Sequence, residues 1–275
     1  MSFRISSRPA SNSSALRSSE SHQRGVRKAL EKMSSGRRIN RAADDAAGLA
    51  ISLKLGEELK ALEQGMENAY DGMSLVQVAD GGLEQVSGNL LRMRELAMTA
   101  ANGTLNPDQR QAVQMEFDTL KQEVDRLGGA TEFNGQALLD GSAGQVEIAL
   151  GGADDSIDID LSQQVDAAAL GLQATRVDGG DGEAARGALA DLEAALEQVS
   201  AQRADLGGAG NRLMNASRSL AVGYENTTAA NSRIMDTDYA KESSELVRQQ
   251  ILAQGATAVQ LQSRGLSASA LTLLK

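Results

Sequence analysis

The chain has 275 residues, with 27 Lys and Arg against 37 Asp and Glu, for a formal net charge of -10. An acidic balance argues against a nucleic-acid binder, which needs a basic stripe to displace counterions. Cysteine is absent and histidine occurs once, so disulfides, thiolate metal sites, cysteine nucleophiles and histidine triads are excluded. Aromatic residues make up 2% and hydrophobic residues 41%, mostly Ala, Leu and Val, which suits long packed helices better than an enzyme pocket.

The start, MSFRISSRPASNSSALRSSE, lacks an apolar run, which predicts no ordinary secretory signal peptide. No stretch nears roughly 18 consecutive apolar residues, so no membrane span is expected. Pro9 precedes a first helix near residues 16–33. Its Leu16, Val26, Leu30 and Met33 lack an evident partner within the helix. His22 sits between Ser21 and Gln23 in a polar stretch and reads as a surface residue.

From residue 44 the pattern turns to heptads. Leu55, Leu59, Leu62, Met66, Ala69, Met73, Val76, Leu83 and Leu90 alternate by four and three, with Asp80 and Ser87 as polar interruptions. Such 3.5-residue spacing predicts coiled-coil-like packing. One helix over 44–102 would be about 90 Å long at 1.5 Å per residue. Asp44-Asp45 fits the start of that helix, where carboxylates favour the dipole, or a salt bridge. Asn106, Pro107 and Gln109 read as N-cap, first helical position and capping-box partner of a second helix. Its stripe is Val113, Phe117, Leu120, Val124 and Leu127.

Glycines break the centre into short pieces. Val146, Ile148 and Leu150, then Ile157, Ile159 and Leu161, alternate with period two around Gly-Gly-Ala-Asp-Asp and predict a β-hairpin. Residues 171–182 read as a loop. A third heptad run follows: Leu189, Leu192, Leu196, Val199, Leu206, Leu213, Leu220 and Tyr224, interrupted by Arg203, Gly210 and Ser217. In the last segment Val247, Ile251, Leu252, Ala258, Val259, Leu261, Leu271 and Leu274 point in several directions. Such a helix exposes apolar surface on more than one side and calls for contact with other chains.

Candidate chemistry is sparse. Asp154, Asp155, Asp158 and Asp160 lack the Gly and closing Glu of an EF-hand. Gly207, Gly208 and Gly210 are not followed by the Lys-Ser/Thr of a phosphate loop, and no hydrolase signature occurs. The sequence predicts no enzyme, no metal, no cofactor.

Residues 34–52 read SSGRRINRAADDAAGLAIS, residues 93–102 MRELAMTAAN, residues 132–139 EFNGQALL and residues 157–162 IDIDLS. Residues 231–242 read NSRIMDTDYAKE, and the chain closes on LTLLK. In this order, across nearly the whole chain, these motifs resemble bacterial flagellins. The resemblance implies a mainly α fold: a long antiparallel coiled-coil-like helical rod with a small β-hairpin, and terminal helices pairing into an inner layer. It implies an inner terminal-helix domain of residues 1–43 plus 236–275 and a rod domain of 44–235, with the hairpin near 131–162. Only about residues 163–182 stand where large outer domains normally lie, so those domains look absent.

The implied function is a structural subunit polymerising into the helical flagellar filament for swimming. It would leave the cell unfolded, through the flagellar type III channel, without a cleaved signal peptide. The implied partners are further copies of itself, an export chaperone at the C-terminal helices (about 236–275), and the hook-associated and cap proteins. Subunit packing is expected at Leu16, Val26, Leu30, Met33, Val247, Ile251, Ala258, Leu261, Leu271 and Leu274. Arg92, Leu96 and Glu116 match positions at which some flagellins meet Toll-like receptor 5, although Leu91 stands where Gln is common. The rival readings are a hook-filament junction protein, which shares the terminal helices, and a cytoplasmic coiled-coil scaffold, which explains the heptads but not the ordered motifs.

Overall fold

The computed structural model describes residues 10–152, 155–179 and 182–273, with side chains described within 16–262. Five helices and two small hairpins follow in chain order: α1 (Ala10–Ser35), α2 (Ala46–Ala100), α3 (Pro107–Ala130), β1 (Glu132–Phe133), β2 (Gln136–Ala137), β3 (Gly144–Ala149), β4 (Ser156–Leu161), α4 (Glu183–Met235) and α5 (Tyr239–Leu273). The chain divides into two compact units. Unit 1 comprises Met1–Glu58 and Asn226–Lys275, and unit 2 comprises Leu59–Glu225.

In unit 1, α1 and α5 pair antiparallel. Ala29 is buried between them, His22 Nδ1 lies 2.9 Å from Gln249 Oε1, and the Tyr239 hydroxyl donates to the Met33 carbonyl at 2.6 Å. His22 is therefore half-buried at a helix–helix contact. It is not the free surface residue that its polar neighbours suggest. The connections after α1 and after α4 run side by side. Arg38 N–H donates to the Met235 carbonyl at 2.6 Å, Thr237 N–H to Gly36 at 3.0 Å, and Arg37 and Asp236 form a β-bridge. The Asp44-Asp45 pair divides its work. Asp45 caps α2 by accepting from Gly48 N–H at 2.9 Å, and Asp44 accepts from the N–H groups of Asn40 and Arg41 while pairing with Lys28 at 2.7 Å. Asp238 caps α5 in the same way through the N–H groups of Ala240 and Lys241.

In unit 2, α2 and α4 run antiparallel, as Val76 beside Gly210, Asp80 beside Arg203 and Arg94 beside Glu193 show. The buried line on α2 is Ala69, Gly72, Val76, Ala79, Leu83, Val86, Leu90, Met93, Ala97 and Ala100, a strict 3–4 repeat. The heptad period is as predicted, and Ala69, Val76, Leu83 and Leu90 lie on it. The other position of each heptad is corrected: Gly72, Ala79 and Val86 face inwards, and Met73, Asp80 and Ser87 lie beside them. On α4 the line is Ala185, Ala188, Leu192, Ala195, Val199, Gln202, Leu206, Ala209 and Leu213. Here too Arg203 and Gly210 flank the seam. Instead of interrupting packing, Arg203 Nε donates to Asp80 Oδ1 at 2.7 Å.

Helix α3 begins on the predicted capping box. Gln109 N–H donates to Asn106 Oδ1 at 2.8 Å, Asn106 N–H donates to Gln109 Oε1 at 3.0 Å, and Pro107 takes the first helical position. It turns back at β1–β2, where Asn134 and Gly135 take φ of 51° and 77°, as a two-residue hairpin turn of mirror type demands. Strands β3 and β4 pair antiparallel with Val146 opposite Ile159 and Ile148 opposite Ile157, so the alternation read from sequence is the inward face.

The stretch from 163 is no loose remnant. Val165, Leu170, Leu172 and Val177 are buried in the core of unit 2. Polar side chains, the buried Gln114 and Arg110 and the exposed Asp125, fasten it: Val177 N–H donates to Gln114 Oε1 at 2.6 Å, Arg110 donates to the Gly179 carbonyl at 3.1 Å, and Asp125 accepts from Ala167 N–H at 2.7 Å. Buried backbone groups need partners, and these side chains supply them where no strand does.

Candidate assembly surfaces

Pairing α1 with α5 uses only one side of each helix. On α1, Val26 and Met33 are half-buried, whereas Leu16 and Leu30 are exposed. On α5, Val247, Ile251, Ala258 and Leu261 are all exposed, Ile251 at 61% and Leu261 at 64%. Spacings of four, three and four through Val247, Ile251, Gln254 and Ala258 put these on one continuous stripe. Gln254, Ala258 and Leu261 line a shallow groove together with Gln23 of α1, which lies midway between Leu16 and Leu30. Leu252 and Val259 add apolar surface on a second side of α5. The Leu271 side chain and Leu274 lie outside the described residues. Each large aliphatic side chain left in water forgoes about 1.5–3 kcal/mol of burial, so the face as a whole is a strong driver of association.

Sequence reading missed Ile51 and Leu53 at the start of α2, both more than half exposed. For Leu53 the signal was available, because it lies off the 3–4 line of α2. Ile51, three heptads before Gly72, lies on that line extended, so its exposure is not legible in the period.

In unit 2 the structure brings Arg92 and Glu116 together from α2 and α3, with Arg92 donating at 2.7 and 3.1 Å to one carboxylate oxygen and to Glu95 at 3.0 Å. The hydrogen bonds to Glu116, then to Glu95, raise the Arg92 guanidinium above its ordinary pKa. Leu96, one turn further on, is instead buried in the core at 6% exposure. Exposed apolar neighbours are Leu91, Met98 and Met115.

No helix among the described residues is long and apolar enough to cross a membrane, and no cluster of three His, Asp or Glu among them could hold a metal ion. Asp154 lies outside the described residues, and Asp155 and Asp158 are exposed. Asp160 accepts from the Ser162 hydroxyl and N–H, which holds its carboxyl below the usual range.

Residues 7–144 match the bacterial flagellin N-terminal helical region, and residues 189–274 match the bacterial flagellin C-terminal helical region. A flagellin of Halalkalibacterium halodurans is 40% identical over 249 residues, covering 90% of this chain and 91% of its own. The flagellin of Bacillus subtilis is 37% identical, covering 93% and 94%. Among solved structures, the Bacillus cereus flagellin crystal structure aligns with a TM-score of 0.50 at 32% identity, over 56% of this chain and 88% of that one. The junction-protein and scaffold readings find no better support. The chain belongs to the bacterial flagellin family and is a structural subunit of the extracellular flagellar filament.

Proposed function

We propose that the α1–α5 face is the surface through which copies of this chain polymerise. The observation that carries the reading is the stripe Val247, Ile251, Ala258 and Leu261, exposed along a helix whose other side is already paired with α1. Head-to-tail burial of such a stripe, repeated without closure, gives an open helical filament. Residues 1–43 with 236–275 would form the inner layer and 44–235 the rod layer. The chain does no chemistry in this role.

Before assembly the same side chains are an aggregation hazard, which is the physical reason for an export chaperone on residues 236–275 and for passage through the type III channel unfolded. Hook-associated and cap proteins sharing this terminal-helix design would meet the same face at the filament's ends. For Toll-like receptor 5, the contact rests on the exposed Arg92–Glu116 pair, with Leu96 acting from beneath by holding α2 in place.

Deleting residues 252–275 tests the polymerisation reading. The truncated chain is expected to keep the helicity and unfolding midpoint of unit 2 and to lose seeded elongation, seen by electron microscopy. Normal filaments from the truncated chain overturn it.

A further inference from the structure

The dipeptide Asn-Gly occurs twice, at residues 102–103 between α2 and α3 and at 134–135 in the β1–β2 turn. Both pairs are exposed. A glycine puts no side chain between the asparagine carboxamide and the backbone nitrogen that follows it. The two settings differ in what surrounds that nitrogen.

Around Asn102 several groups converge. Its Oδ1 accepts from Thr104 N–H at 3.2 Å, an Asx turn that folds the carboxamide back over the peptide between them. Its backbone carbonyl belongs to the peptide bond with Gly103. That oxygen accepts from Arg110 Nη2 at 3.2 Å and from Leu105 N–H at 3.4 Å, and Arg110 is 4% exposed. Asn102 N–H donates to the Thr99 carbonyl, whereas Gly103 N–H meets no acceptor among the described residues. A guanidinium on the carbonyl draws electron density from that peptide and favours loss of the Gly103 amide proton. The Thr104 N–H favours negative charge on Oδ1, as an oxyanion-hole donor does. One contact activates the nucleophile and the other the carbon it would attack.

We propose that Asn102–Gly103 is a self-modification site, at which the folded chain loses ammonia and takes up water. The Gly103 amide gives its proton to hydroxide, and its nitrogen bonds to Asn102 Cγ. The oxyanion at Oδ1 then collapses, the Cγ–Nδ2 bond breaks, and Nδ2 takes a proton from water and leaves as ammonia. Water opens the resulting five-membered imide at either carbonyl, giving aspartate or isoaspartate with no change of oxidation state. Isoaspartate adds a backbone atom and a carboxylate where Arg110 spans the Asn102 and Gly179 carbonyls. Asn134 lacks this assembly. It is held at φ 51° with Phe133 paired to Gln136 across the turn. Closing the ring swings the asparagine backbone until Cβ eclipses the next nitrogen, which a mirror-type turn prevents while its strands are paired. All these groups lie in unit 2, so the inference does not rest on the polymerisation reading.

The test is incubation of the full-length chain in mildly alkaline buffer, with peptide mass spectrometry at both sites and an isoaspartyl methyltransferase assay for the product. In the folded chain Asn102 should convert at least about tenfold faster than Asn134, and in the urea-unfolded chain the two should converge. Gly103→Ala places its Cβ in open space, with nothing within 4 Å and no left-handed φ, so the fold is kept while the approach to Cγ is obstructed. It should slow Asn102 by roughly an order of magnitude. Arg110→Gln removes the charge on the carbonyl and should slow Asn102 about tenfold. Gln114→Leu unfastens the same 163–179 segment without touching Asn102, and should leave the rate unchanged. Circular dichroism checks each fold, and if Arg110→Gln unfolds, the comparison of the two sites and Gly103→Ala still decide. Equal conversion of Asn102 and Asn134 in the folded chain, no ammonia loss at Asn102, or a folded Arg110→Gln variant as fast as the parent overturns the proposal.

Discussion

Two glycines in one helix should respond to alanine with opposite sign. At Gly65 in α2, an added Cβ would sit 2.3 Å from the Leu150 carbonyl oxygen and 2.6 Å from its carbon, against 3.4 Å or more in ordinary contact. The hairpin backbone would have to retreat by about 1 Å in an interior packed like a crystal. That backbone is pinned: Asn68 Nδ2 donates to the Ala149 carbonyl at 2.8 Å, and Leu150 N–H donates to the Asp155 carbonyl at 2.8 Å. Overpacking of this kind costs about 1–3 kcal/mol, partly offset by the roughly 1 kcal/mol that alanine gains over glycine in a helix. Gly65→Ala should thus lower stability by up to about 2 kcal/mol. Gly88 is exposed, with nothing within 4 Å of the same construction, so Gly88→Ala keeps only the gain, about 0.8–1 kcal/mol. The two sites lie roughly 35 Å apart along the helix, so the double variant should add. The assay is urea unfolding of the monomeric chain followed by circular dichroism, comparing midpoints at constant slope. A stabilising Gly65→Ala would refute the seating of the hairpin on α2 and, with it, the reason for glycine there.

The corrected seam predicts that Val86→Ala, at a fully buried position, lowers stability by about 1.5–3 kcal/mol, while Ser87→Ala next to it changes stability by less than about 0.5 kcal/mol, both read from urea unfolding. Equal effects would restore the register with Ser87 on the seam. Asn106→Ala removes the α3 cap and should cost about 1 kcal/mol, with amide exchange accelerated in the first turn of α3. Asp44 contributes in a definite pH window. Its carboxyl is held below the usual aspartate pKa by the hydrogen bond from Lys28 and by the N–H groups of Asn40 and Arg41. The unfolded chain binds that proton at higher pH, so the contribution is complete above the ordinary aspartate pKa and disappears as pH falls through the lowered value. Asp44→Asn should therefore flatten the acid limb of the stability profile of unit 1. An unchanged acid limb would show that the Lys28 contact adds no differential proton binding.

Local patterns carried much of the fold. The period-two runs determined the β3–β4 hairpin and its inward face. The Asn106-Pro107-Gln109 spacing determined the start of α3, because a cap is satisfied within four residues. The heptad period determined that α2 and α4 would be long helices packed side to side. The apolar tail predicted exposed aliphatic side chains on α5, where Val247, Ile251 and Leu261 lie exposed, and the ordered motifs pointed to the family.

Tertiary structure decided the rest, because it depends on what stands opposite. Met73 outranks Gly72 by hydrophobicity, yet Gly72 is the inward residue. Its missing side chain leaves room for Ile148 of the hairpin and Leu213 of α4. Asp80 and Arg203 look like flaws in two separate heptads, and only their meeting across 123 residues makes them a pair. Gln114, Arg110 and Asp125 carry no sign in sequence that they fasten residues 163–179, since their partners are backbone groups whose position exists only after folding. Leu16 and Val26 read alike in the sequence. In the fold Val26 is half-buried and Leu16 exposed, because a helix offers each neighbour only one side.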